Sequence, residues 1–147
     1  MDTTPAQEPD TLDRYAMKGF CSALMRIRLA AGYYGASQEQ VYLQTGYSAL
    51  AQLHRHHDPI DPSVIPDPTA RDAFATVKSL LSDLDRAYGA ITPAHRFREV
   101  QQVLDLTARI GAASEAFATI VRERRRTAAI HRLWESATEV HEPDVTE

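Results

Sequence analysis

The stretch that decides the fold is SQEQVYLQTGYSALAQLHRHHD, residues 37–58. It can form one continuous helix or two short helices around a turn at Gly46. Apolar or aromatic positions keep a helical spacing through this glycine, at four, three and four residues: Leu43, Tyr47, Leu50 and His54. An interior glycine costs a helix only about 1 kcal/mol relative to alanine. We therefore predict one helix, with Ser37 and Gln40 as a capping pair and its first helical residue at Gln38.

The segment before this stretch predicts a long first helix. It begins at Asp10 or Thr11, either of which can cap a helix, and it ends at Gly32. Its apolar residues recur every three or four positions on a wide face: Leu12, Ala16, Met17, Phe20, Cys21, Leu24, Met25, Ile27 and Ala31. Two glycines flank two tyrosines in GYYGA, residues 32–36, and they predict the turn that ends the helix.

A proline-rich connection and an amphipathic helix follow. PIDPSVIPDP, residues 59–68, cannot be helix interior and predicts an extended connection. Asp67 is placed to cap the next helix and Pro68 to begin it. The helix carries one apolar stripe before Gly89 closes it: Ala70, Phe74, Val77, Leu81, Leu84 and Tyr88.

The last helix is the longest in the sequence. Thr92 and Pro93 predict its cap, and its apolar positions run from Ala94 to about Ala137. An unbroken helix would be ~65 Å long at 1.5 Å per residue, which exceeds a compact bundle of this size. We predict a break at residues 111–114, with an overhanging helix as the alternative. The fold class is then all-α, a four- to five-helix bundle with the proline-rich connection after its second helix.

Composition limits the class of protein. A chain of 147 residues forms one domain, which we place at 11–139, between a disordered leader at 1–10 and an acidic disordered tail at 140–147. The single cysteine, Cys21, excludes an internal disulfide and a cysteine-rich zinc site. No apolar stretch approaches the ~20 residues that cross a bilayer, and the N-terminus lacks the pattern of a signal peptide. We expect a cytoplasmic protein that does not contact membranes.

Charge is unevenly distributed along the chain. The net charge of −4 argues against a protein that coats nucleic acid over its whole surface. A basic cluster nevertheless precedes the acidic residues of the tail: Arg122, Arg124, Arg125, Arg126 and Arg132. Arginines in such a cluster can bind the phosphates of RNA or DNA without reading the base sequence.

Residues 26–55 offer a resemblance to a DNA-binding family. RIRLAAG, SQEQVYLQTGYS and ALAQLHR are similar to the helix-turn-helix core of small phage-repressor-like regulators. The resemblance implies a first helix at 37–45, a turn at Gly46 and three positions in the major groove: Ala49, Gln52 and Arg55. Tyr42 departs from the small residue of that family, and the second helix is short before Pro59. A DNA-binding regulator is the alternative function.

A second resemblance concerns catalysis. Arg126 and His131 have the Arg-x4-His spacing of the HEPN ribonucleases, which are also small helical bundles. The resemblance implies that His131 is the acid or base at a ribose hydroxyl and that Arg126 holds the phosphate. Thr127 replaces the polar residue that often follows the arginine in that family. An HEPN-like ribonuclease is the second alternative.

HRHHD, residues 54–58, is a candidate metal site. His54, His57 and Asp58 recur within one helical turn, and two such residues on one face can bind zinc or iron. The dipole at the C-terminal end of a helix also favours histidines without any metal. Because no second pair is evident, we predict no metal and no cofactor.

The sequence as a whole favours association over catalysis. It has no phosphate-binding glycine loop, nucleophile elbow or dinucleotide fingerprint. Its wide apolar first helix and its long last helix offer more apolar surface than a bundle of this size needs. We therefore predict a non-enzymatic protein that associates with itself or with a partner protein, with nucleic-acid phosphates as a further ligand of the arginine cluster.

Overall fold

Four helices form the described part of the chain. The computed structural model describes Met17 and residues 19–145, with side chains as far as residue 138. The helices are α1 (Phe20–Ser37), α2 (Gln40–His57), α3 (Pro68–Gly89) and α4 (Phe97–Val145). The described residues contain no strand. The predicted all-α class and helix number are confirmed.

The stretch at 37–58 contains one helix, as predicted, because α2 runs through Gly46 without interruption. The missing side chain at Gly46 permits close packing between α2 and α3. A Cβ atom at this position would lie 1.8 Å from the hydroxyl oxygen of Tyr88. The fully buried Tyr88 reaches across from α3 and donates a hydrogen bond of 2.9 Å to the carbonyl oxygen of Leu43. Gly46 therefore lets a side chain of α3 reach the backbone of α2.

Helix α1 ends later than predicted. Gly19 has a left-handed backbone (φ 76°), so α1 begins at Phe20, and the predicted start at Asp10 or Thr11 lies outside the described residues. The predicted turn at 32–36 is wrong, since α1 continues to Ser37. A Cβ on Gly35 would lie 3.3 Å from Val100 of α4, so this glycine permits close helix packing.

The turn between α1 and α2 falls at Gln38, which has a left-handed φ of 62°. Ser37 does not begin α2 as predicted. It ends α1, donating from its hydroxyl to the carbonyl of Tyr33 and accepting from the N–H of Glu39. Glu39 is the N-cap residue, and α2 begins at Gln40 rather than Gln38.

The proline-rich connection between α2 and α3 is confirmed and contains a short 3-10 turn, Pro62–Val64. Asp67 caps α3 as predicted, accepting from the N–H of Thr69 at 3.0 Å. Lys78 of α3 donates from Nζ to the carbonyls of His57 and Ile60, at 2.8 and 2.6 Å. Because the last carbonyls of a helix lack partners within it, this lysine stabilises the end of α2 and holds the connection against α3.

Helix α4 has no break. It spans 49 residues, which is ~73 Å at 1.5 Å per residue, so the predicted interruption at 111–114 is wrong and the alternative of an overhanging helix is correct. A Cβ at Gly111 would meet nothing within 4 Å, so no contact forces a kink there. The start also differs: Thr92 accepts from the N–H of His95 in a turn, and the helix begins at Phe97.

The core lies mainly between α1, α2, α3 and the first half of α4. Helix α1 packs on α2 and α4, and α3 packs on α4. A smaller cluster lies toward the connection, where Phe74 of α3 meets Phe117 of α4 with ring centroids 5.1 Å apart. Val121 belongs to this cluster and is the last buried residue among the described ones. The remainder of α4 extends past the core into the segment predicted as a tail.

Candidate functional site

The part of α4 that follows Val121 extends past the core and exposes large apolar side chains. We call residues 122–145 the arm. Three large apolar side chains project from it and are highly exposed, at 59%, 71% and 72%: Ile130, Leu133 and Trp134. Their spacing of three and four residues places them on one side of the helix. Exposed apolar residues clustered in this way mark a surface for another molecule more often than singly scattered ones do.

The apolar side of the arm does not continue the core-facing stripe of α4. Ile130 follows Val121 by nine residues, about two and a half turns, so the two side chains point to opposite sides of the helix. The bundle cannot bury both of these sides of α4 at once. The predicted run of apolar positions from Ala94 to about Ala137 did not distinguish these two sides of the helix.

The predicted basic cluster lies on the arm, and all five arginines are exposed. Two of them are paired within the chain. Arg124 donates from Nε to Asp67 at 2.5 Å, and Arg122 lies 3.6 Å from Glu115. Among the described residues, Arg125, Arg126 and Arg132 have no acidic partner within ion-pair distance.

Among the described residues, the pair between Arg124 and Asp67 is the last polar contact along α4 between the arm and the bundle. Partial burial acts to raise the pKa of Asp67, but the Arg124 hydrogen bond and charge and the N–H of Thr69 outweigh it, so this pKa is lowered from 3.8. The carboxylate therefore stays ionised at neutral pH, caps α3 and fixes the base of the arm.

A second apolar surface lies between α1 and α4. An open groove of about 540 Å³ runs along the two helices. Met25 and Leu29 form its exposed wall on α1, and Arg28 donates across it to the hydroxyl of Thr107 at 3.5 Å. The free thiol of Cys21 also lines the groove and is exposed.

The three candidate metal ligands do not converge on one point. The Nδ1 of His54 lies 3.0 Å from Asp58 and its Nε2 lies 3.6 Å from Asp85. His57 instead points into the core, with its ring 5.0 Å from that of Phe20 and stacked on Phe74 at 5.7 Å. Within the described part of the chain, no group of three His, Cys, Asp or Glu residues is placed to hold a metal ion.

The positions implied by the helix-turn-helix resemblance lie on one continuous helix. There is no turn at Gly46, and Ala49 is buried in the core, where it cannot meet a DNA groove. Gln52 is exposed and accepts a hydrogen bond of 3.3 Å from Arg26, and Arg55 is exposed near the end of α2. The geometry that the resemblance implies is absent from these residues.

The ribonuclease candidates both lie on the arm. Arg126 and His131 are exposed and are five residues apart, so they face different sides of the helix. His131 pairs with Glu135 at 3.0 Å, one turn along. Within one chain, the two side chains therefore do not share a site.

Comparison with known proteins finds no matching family model, no similar curated protein and no similar solved structure. None of the helices in the described residues is long and apolar enough to cross a membrane.

Proposed function

We propose that this is a non-enzymatic protein that acts by self-association, with the arm of α4 as the associating element. The observation that supports the proposal is the length of α4 together with the exposure of Ile130, Leu133 and Trp134 on the part that outgrows the core. A helix in water gains most of its stability by packing an apolar face, and none of the described residues of the bundle covers the apolar side of the arm. A second chain supplies that packing.

The test is molar mass by light scattering over a range of protein concentration. We expect masses above the 16.4 kDa of one chain, approaching that value on dilution. Ile130→Glu should lower the mass at every concentration, because it places a charge on the apolar side of the arm. Val41→Glu is the matched control, since Val41 is also helical and also 59% exposed but lies on α2.

Two results would contradict the proposal. One is a mass of a single chain at all concentrations. The other is an equal effect of Ile130→Glu and Val41→Glu, which would mean that the arm has no special part in assembly.

The exposed arginines favour a second candidate function, which is contact with nucleic-acid phosphates. Arg125 and Arg126 are adjacent, exposed and without an acidic partner among the described residues. Binding of this kind should be independent of base sequence and should weaken steeply as salt is added. Replacing both arginines with alanine should reduce binding to single-stranded RNA, and binding that is insensitive to salt would exclude this candidate.

A further inference from the structure

The charge of the arm changes sign at its midpoint. Residues 122–132 hold five arginines and one glutamate, whereas residues 133–145 hold four acidic residues and no lysine or arginine. The exposed apolar side chains lie at this midpoint, with Ile130 just before the change and Leu133 and Trp134 just after it. The arm therefore has a basic half, an apolar centre and an acidic half.

This order of charges is unfavourable for a helix that stands alone. The C-terminal end of a helix carries a partial negative charge from its unpaired carbonyls, and acidic residues there are destabilising. The last turn of α4 contains no basic residue that could offset it. A partner that places positive charge beside the acidic half would stabilise the arm.

The arm itself has the required complementary charges. If two arms lie antiparallel about their midpoints, the basic half of each lies beside the acidic half of the other, and the two apolar centres meet. A parallel, in-register pair would instead place ten arginines together. Charge pattern of this kind determines the orientation of paired helices more than it determines their affinity.

We infer that the arm binds the arm of a second copy of this chain in antiparallel orientation, with the symmetry axis between Leu133 and Trp134. This inference rests on the proposed self-association and specifies its surface and geometry. The interface is isologous, since each arm contributes the same apolar side. In this arrangement Ile130 of one copy lies opposite Ala137 of the other, because the two positions are equally far from the axis.

Disulfide trapping tests the orientation. Cys21 is first replaced by serine, so that each variant carries one thiol, and Ile130→Cys and Ala137→Cys are then made separately. In the antiparallel pair, the two copies of position 130 are separated by about 10 Å along the arms, beyond the Cα distance that a disulfide can span. We expect a mixture of the two variants to yield about tenfold more covalent dimer on mild oxidation than either variant alone.

The other outcomes of the trapping experiment distinguish a failure of antiparallel pairing from a failure of self-association. Efficient trapping of each variant alone would indicate parallel arms and would overturn the inference while self-association stands. A dimer mass with no trapping would place the interface elsewhere. Trapping of Ala137→Cys only when Cys21 is retained would identify the α1–α4 groove as the site that receives the arm. A single-chain mass throughout would refute self-association itself.

A charge reversal provides an independent test that needs no thiol. Arg125→Glu combined with Arg126→Glu should weaken an antiparallel dimer by about tenfold, because attraction to the acidic half becomes repulsion. The same change would strengthen a parallel dimer. Salt has opposite effects as well: added NaCl should weaken the antiparallel dimer and strengthen the parallel one.

Discussion

The two halves of α4 belong to one continuous helix and yet have opposite relations to the rest of the molecule. Before residue 122, Phe117 and Val121 are buried against α3 and the connection. After it, Leu133 and Trp134 are more than two-thirds exposed. Both halves carry apolar side chains at helical spacing, so hydrophobic content does not distinguish them. The difference is whether another helix among the described residues lies beside them.

The largest expected difference between the two halves of α4 is in stability, and one side-chain truncation in each half measures it. Phe117→Ala should lower the free energy of unfolding by about 3–5 kcal/mol, because it leaves a cavity against Phe74. In dilute protein, Trp134→Ala should change it by less than about 0.5 kcal/mol. Urea unfolding followed by circular dichroism measures both. An equal loss in dilute protein would mean that the arm packs on its own bundle.

A smaller effect concerns the contact that joins α2 to α3. Gly46→Ala should destabilise the fold by about 2–3 kcal/mol, because the new methyl group collides with Tyr88 and displaces its buried hydrogen bond. Gly32→Ala is the control, since this helical glycine has open space around it and should gain up to about 1 kcal/mol. Similar unfolding curves for the two variants would show that α2 and α3 do not approach closely at Gly46.

The smallest effect is at the base of the arm and depends on pH. Because the pKa of Asp67 is lowered on folding, its carboxylate contributes stability above the ordinary value of 3.8, and this contribution is lost as pH falls through the lowered pKa. Asp67→Asn keeps an N-cap residue but removes the charge. It should be less stable than the natural chain at pH 7, and the difference should shrink below pH 4.

Arg124→Gln provides the check on that prediction, since it removes the partner and leaves the carboxylate. Arg124→Gln should reduce the stability that the ionised carboxylate of Asp67 contributes, so the free energy of unfolding should fall less as the pH is lowered. If Arg124→Gln leaves the acid unfolding curve unchanged, the pair does not hold the arm to the bundle.

The sequence predicted structure correctly where the pattern within a single helix was sufficient. The stripe from Leu43 to His54 and the stripe of α3 are local periodic patterns, and both helices are present as predicted. The cap at Asp67 was also predicted, because an aspartate before a proline satisfies the first N–H groups of a helix without any distant partner. The predictions failed where a glycine was interpreted without knowledge of its neighbours.

Gly35 illustrates that failure, whereas the helix predicted through Gly46 is confirmed. In the sequence alone, a glycine is equally compatible with a turn, a weak point and a close helix contact. Val100 and Tyr88 decide between these, and they lie 65 and 42 residues away along the chain. Gly111 was predicted as a break, although nothing in the fold bends the helix there.

What the sequence by itself determined is the all-α class, the central helices, the proline-rich connection and the reversal of charge along the last segment. These follow from spacing, backbone chemistry and the order of charges, which are all local. Only the tertiary structure decided that the core ends at Val121 and that Ile130, Leu133 and Trp134 lie beyond it. An apolar stripe shows that a helix needs a partner, but only the positions of the other helices show which part of it lacks one.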